Sequence, residues 1–496
     1  MTRTAAQWKE MAKTLEIEGR AFIDGAYCPA ASGKTFASID PATGETLAEI
    51  ASCEAEDVDR AVRAARRAFE DGRWSALHPA ERGKRLMRFA DMVAAERETF
   101  ALIESRDCGK PISDALAIDM AGVVRCLHWY GEAADKLMHE IAPTDPSALA
   151  MVTREPLGVV AAVVPWNFPL LMAAWKIAPA LAAGNSVILK PAEQSPLSAI
   201  RLAAVAAEAG IPDGVLNIVP GFGETAGQAI GLHMDIDAVA FTGSTEIGKL
   251  FLQYSGRSNM KQVSLECGGK SPHIVMEDAP DLDAAARAAA GAIFFNQGEV
   301  CTAGSRLLVA RSIRDVFMEK LLDAAKAQRL GDPLDPATTL GALIDTGHRD
   351  RVLGYIEKGR DEGAQLLLGG GNGGMNRGCF VEPTIFDGVK REMTIAREEI
   401  FGPVLSVLDF ADEAEAIEIA NDTIYGLAAG LWSRDIARAH RMARAVRAGT
   451  VWVNCWDPTG DMTIPFGGFK QSGFGRDKSL HALEKYSQLK TTWIAL

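Results

Sequence analysis

Val159-Val-Ala-Ala-Val-Val-Pro-Trp-Asn-Phe-Pro169 opens on six apolar residues, four of them β-branched, and breaks at a proline. Such a run fits a strand covered on both faces, and the proline-bounded Trp-Asn-Phe fits a turn into the helical spacing of residues 170–183. The same beat continues for a hundred residues. Strands are expected at 186–189, 215–219, 238–241 and 262–266, with helices at 196–209, 225–232 and 245–254 between them. Apolar strands alternating with amphipathic helices imply right-handed βαβ crossovers and a parallel sheet, whose ligands bind beyond the carboxyl ends of the strands.

Outward from this stretch, a second α/β series is expected. Its strands fall at 273–276, 306–310, 404–409, 428–432 and 450–454, and its helices at 282–295, 313–328, 413–420 and 436–446, with a Gly-rich loop at 369–378. The upstream third reads as mostly helical, over 55–68, 80–94 and 112–133. The last fifteen residues read as a strand too apolar to stand bare, and pairing across a subunit boundary is expected.

The 496 residues exceed one core, so two or more domains follow. With 52 Lys and Arg against 65 Asp and Glu, the net charge is −13, and no basic run suggests nucleic acid or an anionic membrane as partner. Eight cysteines without CxxC spacing and eight histidines without HxxxH or HxH point to no disulfide framework and no metal site, and fit a reducing cytoplasm. No secretory signal is read at the N-terminus, and the apolar segments are too interrupted for a transmembrane helix.

Six segments carry chemistry around one thiol. Cys301, in Phe294-Phe-Asn-Gln-Gly-Glu-Val-Cys-Thr-Ala-Gly304, sits on a Gly-flanked turn, as a reactive nucleophile or as an inert buried cysteine. Asn167, between Pro165 and Pro169, offers a side-chain amide at a helix start, either to a developing oxyanion or as an N-cap. Lys190 and Glu193, in Leu189-Lys-Pro-Ala-Glu193, can reach an adenosine ribose, the carboxylate favouring NAD over NADP; two solvated charges are the ordinary alternative. Phe241-Thr-Gly-Ser-Thr-Glu-Ile-Gly248 places Gly243 and Ser244 where a pyrophosphate meets a helix N-terminus, although it is not a GxGxxG fingerprint. Glu266, in Leu265-Glu-Cys-Gly-Gly-Lys270, is a candidate general base or a salt-bridge partner. Arg397-Glu-Glu-Ile-Phe-Gly-Pro403 and Pro465-Phe-Gly-Gly-Phe-Lys470 complete the set.

In this order and spacing the six segments resemble those of the NAD(P)-dependent aldehyde dehydrogenases, from about residue 20 to the end. The resemblance implies two Rossmann-like parallel-sheet α/β domains plus a small β oligomerisation element: an NAD-binding domain (1–137 and 158–267), a catalytic domain (268–470) and an oligomerisation element (138–157 and 471–496). It implies Cys301 as nucleophile, Glu266 as general base, and Asn167 with the Cys301 N–H as oxyanion hole. Lys190 and Glu193 would hold the adenine ribose, Ser244 and Trp166 the pyrophosphate, and Glu399 with Phe401 the nicotinamide ribose. A cytoplasmic homodimer or homotetramer is expected. Cys267 stands where the family usually has Leu; a disulfide with Cys301 is one consequence to test.

The run from Gly460 to Glu484 is similar to γ-glutamyl-γ-aminobutyraldehyde and guanidinobutyraldehyde dehydrogenases. By that likeness Phe168, Met172, Trp175, Val300, Thr302, Trp456 and Phe466 would line a substrate tunnel, with Asp119, Asp457 and Asp461 as carboxylates at its mouth. Such a tunnel suits an amino, γ-glutamylamino or guanidino tail, with broad aliphatic tolerance. A general aldehyde dehydrogenase without amine preference is the alternative. A Cys/His hydrolase is a remoter one, with His273 the nearest histidine but no mark of a catalytic partner.

Overall fold

A computed structural model describes residues 3–458 and 461–496; Gly460 of the C-terminal run therefore lies outside the described residues. Two sheets dominate. In the first, β1 (Val159–Val163), β2 (Ser186–Lys190), β3 (Leu216–Ile218), β4 (Ala238–Thr242) and β5 (Gln262–Glu266) run parallel in the order β5-β4-β1-β2-β3. The chain leaves β1 toward β2 and β3, then returns to add β4 and β5 on the other side, so the order reverses between β1 and β4. Crevices at such reversals are where open α/β sheets take ligands.

The alternation within β1 explains why its sequence is apolar throughout. Val160 and Ala162 pack into one core, and Val159, Ala161 and Val163 into another on the opposite face. Each fully buried Val side chain contributes about 1.5–3 kcal/mol. Helix α1 (Pro169–Ala182) starts on Pro169, whose missing N–H is one of the unpaired donors of a first turn.

The second sheet is built from β6 (Pro272–Val275), β7 (Arg306–Ala310), β8 (Thr384–Asp387), β9 (Val404–Phe410), β10 (Ala428–Trp432) and β11 (Thr450–Val453), parallel in the order β8-β9-β7-β6-β10-β11. Gln365–Leu368 adds an antiparallel edge.

The upstream third is mostly helical as expected, over Ala55–Glu70, Pro79–Ala95, Arg97–Cys108 and 112–133, the last with a wide π turn at Ala115–Met120. Ahead of these helices Ala21–Ile23 and Ala26–Cys28 extend the first sheet and Thr35–Ile39 and Thr46–Ala51 form a hairpin, strands the sequence reading did not place. These short strands exist through pairing with distant residues, Phe22 with Ile218 for example, and such pairing has no local signature. The C-terminal strand, Ser487–Ala495, has a partner in its own chain, pairing antiparallel with Ala148–Pro156 over nine residues. Its other edge carries no strand among the described residues, and Leu489, Trp493, Ile494 and Leu496 are exposed. Among the described residues no helix is long and apolar enough to cross a membrane.

Candidate active site

The carboxyl ends of four neighbouring strands deliver the first half of the site. β5 ends on Glu266, β4 leads to Gly243 and Ser244, β1 to Trp166 and Asn167, and β2 ends on Lys190. The ends are tied together, since the Gly243 N–H donates to the Glu266 carbonyl at 3.1 Å and the Val164 N–H to the Lys190 carbonyl at 3.1 Å.

Several of these features suit a dinucleotide. Ser244 caps helix α2 (Thr245–Gly256), its hydroxyl accepting from the Ile247 N–H at 3.2 Å, and the remaining first-turn N–H groups face the crevice end of the strands. Lys190 lies 3.3 Å from the Glu193 carboxylate, and burial lowers its pKa. Trp166 packs edge-on against Phe401, 5.2 Å between ring centroids, and against His348 at 5.1 Å. Phe401 itself holds a left-handed φ of 62°.

The second half comes from the turn between helix α3 (Leu282–Phe294) and β7. Asn296 and Gln297 adopt φ of 47° and 57° there, a left-handed pair that reverses the chain and sets Cys301 facing the first sheet. Two glycines let the halves meet. A Cβ on Gly269 would fall 2.4 Å from the Cys301 carbonyl oxygen, and one on Gly268 would fall 2.0 Å from a Glu399 carboxylate oxygen. The Gly269 N–H donates to Glu399 at 2.8 Å. The paired glycines after Glu266 are therefore a steric requirement for bringing Cys301 and Glu399 against β5.

Asn167 is oriented rather than free. One side-chain N–H donates to the Glu299 carbonyl at 2.7 Å, while Asn296 donates to the Asn167 carbonyl at 3.1 Å. The second amide N–H remains for a ligand, and the Cys301 main-chain N–H meets no acceptor among the described residues.

All three titratable groups of this centre favour their neutral forms. Burial pushes the Cys301 thiol well above its usual range, with the Glu399, Glu266 and Asp457 carboxylates adding to the shift. Glu266 is also raised, by burial first and Asp477 second, against the opposing cations of Lys485, Lys176 and Arg476; neither of its carboxylate oxygens has a hydrogen-bond partner. Burial raises Glu399 to about 7. A thiol, a carboxyl with both oxygens open, and two N–H donors around one point can capture a carbonyl carbon, hold its oxygen and move a proton to or from water.

The aromatic residues expected to line a tunnel pack against one another or against neighbouring rings. Phe168, Met172 and Trp175 fall at i, i+4 and i+7 along the start of α1, hence on one face. Trp175 packs against Phe466 at 5.2 Å and Phe168 against Phe295 at 6.0 Å. Trp456 stacks on His273 at 5.0 Å, and Val300 and Thr302 flank the thiol in sequence, Thr302 buried. His273 is therefore a core histidine, driven by burial to a pKa of about 3.

The carboxylates divide. Asp457 acts electrostatically on both Cys301 and Lys478. Asp461 is exposed and closes a local turn, accepting from the Thr463 N–H and hydroxyl at 2.8 Å each. Asp119 is not at any mouth: it is fully buried and paired with Lys110 at 2.7 Å, and Lys110 in turn lies 4.2 Å over the Phe168 ring. Its place on an expected helix gave no sign that a wide π turn would rotate it inward. The Cys267 thiol also points elsewhere, 2.9 Å from where a Gly248 Cβ would sit, within the apolar core beneath α2; a disulfide with Cys301 has no support in this arrangement.

Two lysines behind Glu266 escaped the sequence reading. Lys176 and Lys485 both pair with the fully buried Asp477, Lys176 at 3.1 Å, and together they form the charged backing of Glu266. Lys270 has no partner for its amino group, and burial lowers it to about 7. The only signal was Lys176 on the apolar face of α1, four residues beyond Met172. Among the described residues no cluster of potential metal ligands occurs.

The aldehyde dehydrogenase family profile matches residues 27–492. The chain is 55% identical over 491 residues to the NADP/NAD-dependent aldehyde dehydrogenase PuuC of Escherichia coli K12, covering 99% of this chain and 98% of that protein. Among solved structures, a mutant of the P. syringae AldA indole-3-acetaldehyde dehydrogenase in complex with NAD+ and IAA is 59% identical, with a TM-score of 0.99 and full coverage of both chains. The γ-glutamyl-γ-aminobutyraldehyde dehydrogenase of Burkholderia cenocepacia is 56% identical, with a TM-score of 0.98 and full coverage of both. Matches of this extent, over a chain whose two sheets meet at one thiol, make it a member of the aldehyde dehydrogenase family.

Proposed function

We propose that this enzyme oxidises aldehydes bearing an amino, γ-glutamylamino or guanidino tail to the carboxylic acid, with NAD as hydride acceptor. The observation that carries the reading is the convergence of Cys301, Glu266 and Glu399 across the two Gly268 and Gly269 contacts. Cys301 attacks the aldehyde carbon, and the Asn167 amide with the Cys301 N–H holds the oxyanion of the resulting thiohemiacetal. A bound nicotinamide would supply the hydride acceptor, so that Cys301 is left carrying the acyl group as a thioester. Glu266 then takes a proton from water as it attacks the acyl carbon, and Lys176 and Lys485 oppose the burial that would keep this carboxyl protonated.

The residues fit NAD. The Ser244-capped end of α2 suits a pyrophosphate, Trp166 and Phe401 a flat wall, Glu399 a ribose, and Glu193 the two hydroxyls of an unphosphorylated ribose. Lys190 beside Glu193 softens the repulsion of a 2′-phosphate, so NADP is tolerated less well rather than excluded.

The tail preference rests on the likeness to PuuC and to the Burkholderia enzyme and on the aromatic residues expected to line the tunnel. Such a lining equally suits an aryl aldehyde, and the likeness to an indole-3-acetaldehyde dehydrogenase favours this as a second reading. Three domains with the boundaries expected above go with this reading, although Gly473–Phe474 pairs with β5 of the first sheet, and the open edge of Ser487–Ala495 completes its sheet in a cytoplasmic homodimer or homotetramer. NADH formation at 340 nm with 4-aminobutanal, γ-glutamylaminobutanal and indole-3-acetaldehyde tests the assignment. Turnover surviving Cys301→Ala would overturn the mechanism, and equal efficiency with butanal would overturn the tail preference.

A further inference from the structure

Lys478 is an unexplained cation beside Trp175. It is 8% exposed, its amino group stands 5.5 Å over the Trp175 ring, and Trp175 packs on Phe466. Its backbone is clamped from both sides: Phe466 and Asp477 exchange two hydrogen bonds of 2.7 Å, and the Ser479 N–H donates to the Met462 carbonyl at 2.8 Å. Within that clamp Lys478 and Ser479 hold left-handed φ of 61° and 52°, and Asp457 one of 35°. Residues other than glycine are strained in such conformations, which persist where the surroundings impose them.

Lys478 and Asp457 are of opposite sign, and Asp461 and Arg125 also act on the lysine. Burial lowers its pKa while the Asp457 and Asp461 carboxylates raise it, yet among the described residues neither Lys478 nor Asp457 makes a hydrogen bond through its charged group or an ion pair within 4.0 Å. Asp461 is occupied by Thr463. The Asp457 carboxylate is near enough to act on the Cys301 thiol as well as on Lys478. A purely cationic tail would meet Asp457 favourably and Lys478 unfavourably. A tail ending in an α-ammonium and an α-carboxylate satisfies both.

We propose that Lys478 and Asp457 form a specificity site for an aldehyde whose far end is a zwitterionic amino-acid head, Lys478 taking the carboxylate and Asp457 the ammonium. This rests on the reading above and selects the γ-glutamylamino class within it.

The experiment compares kcat/KM for γ-glutamylaminobutanal, 4-aminobutanal and butanal in the wild type, Lys478→Gln and Lys478→Arg. The wild type is expected to favour the glutamylated aldehyde. Lys478→Gln is expected to lower its ratio over butanal about 10-fold or more, through KM rather than kcat, and to raise 4-aminobutanal relative to butanal. Lys478→Arg, keeping the charge, is expected to hold the ratio within about threefold. A Gln variant that loses all three substrates by one factor shows a structural lysine and overturns the proposal, as does an unchanged ratio. A wild type that prefers 4-aminobutanal to the glutamylated aldehyde overturns the zwitterion site while leaving the amine preference standing; one indifferent to both tails overturns the two together.

Discussion

The reacting centre and the region around Lys478 handle charge in opposite ways. Around Cys301, Glu266 and Glu399, burial and mutual repulsion hold a thiol and two carboxyls toward neutrality, with their nearest cations set one layer behind. Around Trp175 and Phe466, Lys478, Asp457 and Asp461 alternate in sign with no close pairing within the trio. The first arrangement spends charge only when the reaction creates it, and the second presents charge to an arriving substrate. On the proposed reading chemistry and selection are separated, and substitutions in the two regions should fail in different ways.

The largest effect is expected at the reacting centre. Glu266→Gln should leave a burst of NADH of about one equivalent per site and reduce steady-state turnover by about 10²–10⁴-fold, the range of a lost general base. A uniform loss without a burst would mean that Glu266 serves an earlier step and would blur the division. Asn167→Ala should cost about 10²–10³-fold in kcat through the missing oxyanion donor, with KM little moved. Stopped-flow absorbance should locate that loss before NADH release.

The neutrality of the centre gives a pH signature of about tenfold per unit. A thiol whose pKa is raised remains protonated below it, so the reactive thiolate fraction grows with pH across the accessible range. Iodoacetamide labelling of Cys301 in ligand-free enzyme, followed by mass spectrometry of the peptide, should therefore still climb between pH 8 and 9.5; a plateau near neutrality would contradict the account. The smallest effect is expected at Asp461, whose carboxylate is committed to Thr463. Asp461→Ala should change the preference for 4-aminobutanal over butanal by less than about twofold, and a larger change would move the specificity site outward from Asp457.

How far the sequence carried this reading differs along the chain. Central strands such as Val159–Val163 announce themselves, because both faces are buried and every position must be apolar. The short strands Ala21–Ile23 and Thr384–Asp387, one place in from the sheet margins, do not, since three or four residues acquire strand geometry from partners far away. Glu266, Asn167 and Cys301 were legible through the glycines and prolines that hold their turns. Asp119 was misplaced because local spacing cannot show that a wide turn will send a side chain toward Lys110.

The amino-acid order by itself therefore determined the parallel α/β framework and the short segments in which the reactive residues lie, since periodicity and turn chemistry act between near neighbours. Tertiary structure alone decided that Glu399 lies against Gly268, that Lys176 and Lys485 share Asp477, and that Lys478 faces Trp175. Those encounters join residues up to some three hundred positions apart, and their electrostatic consequences exist only once the surrounding core has excluded water.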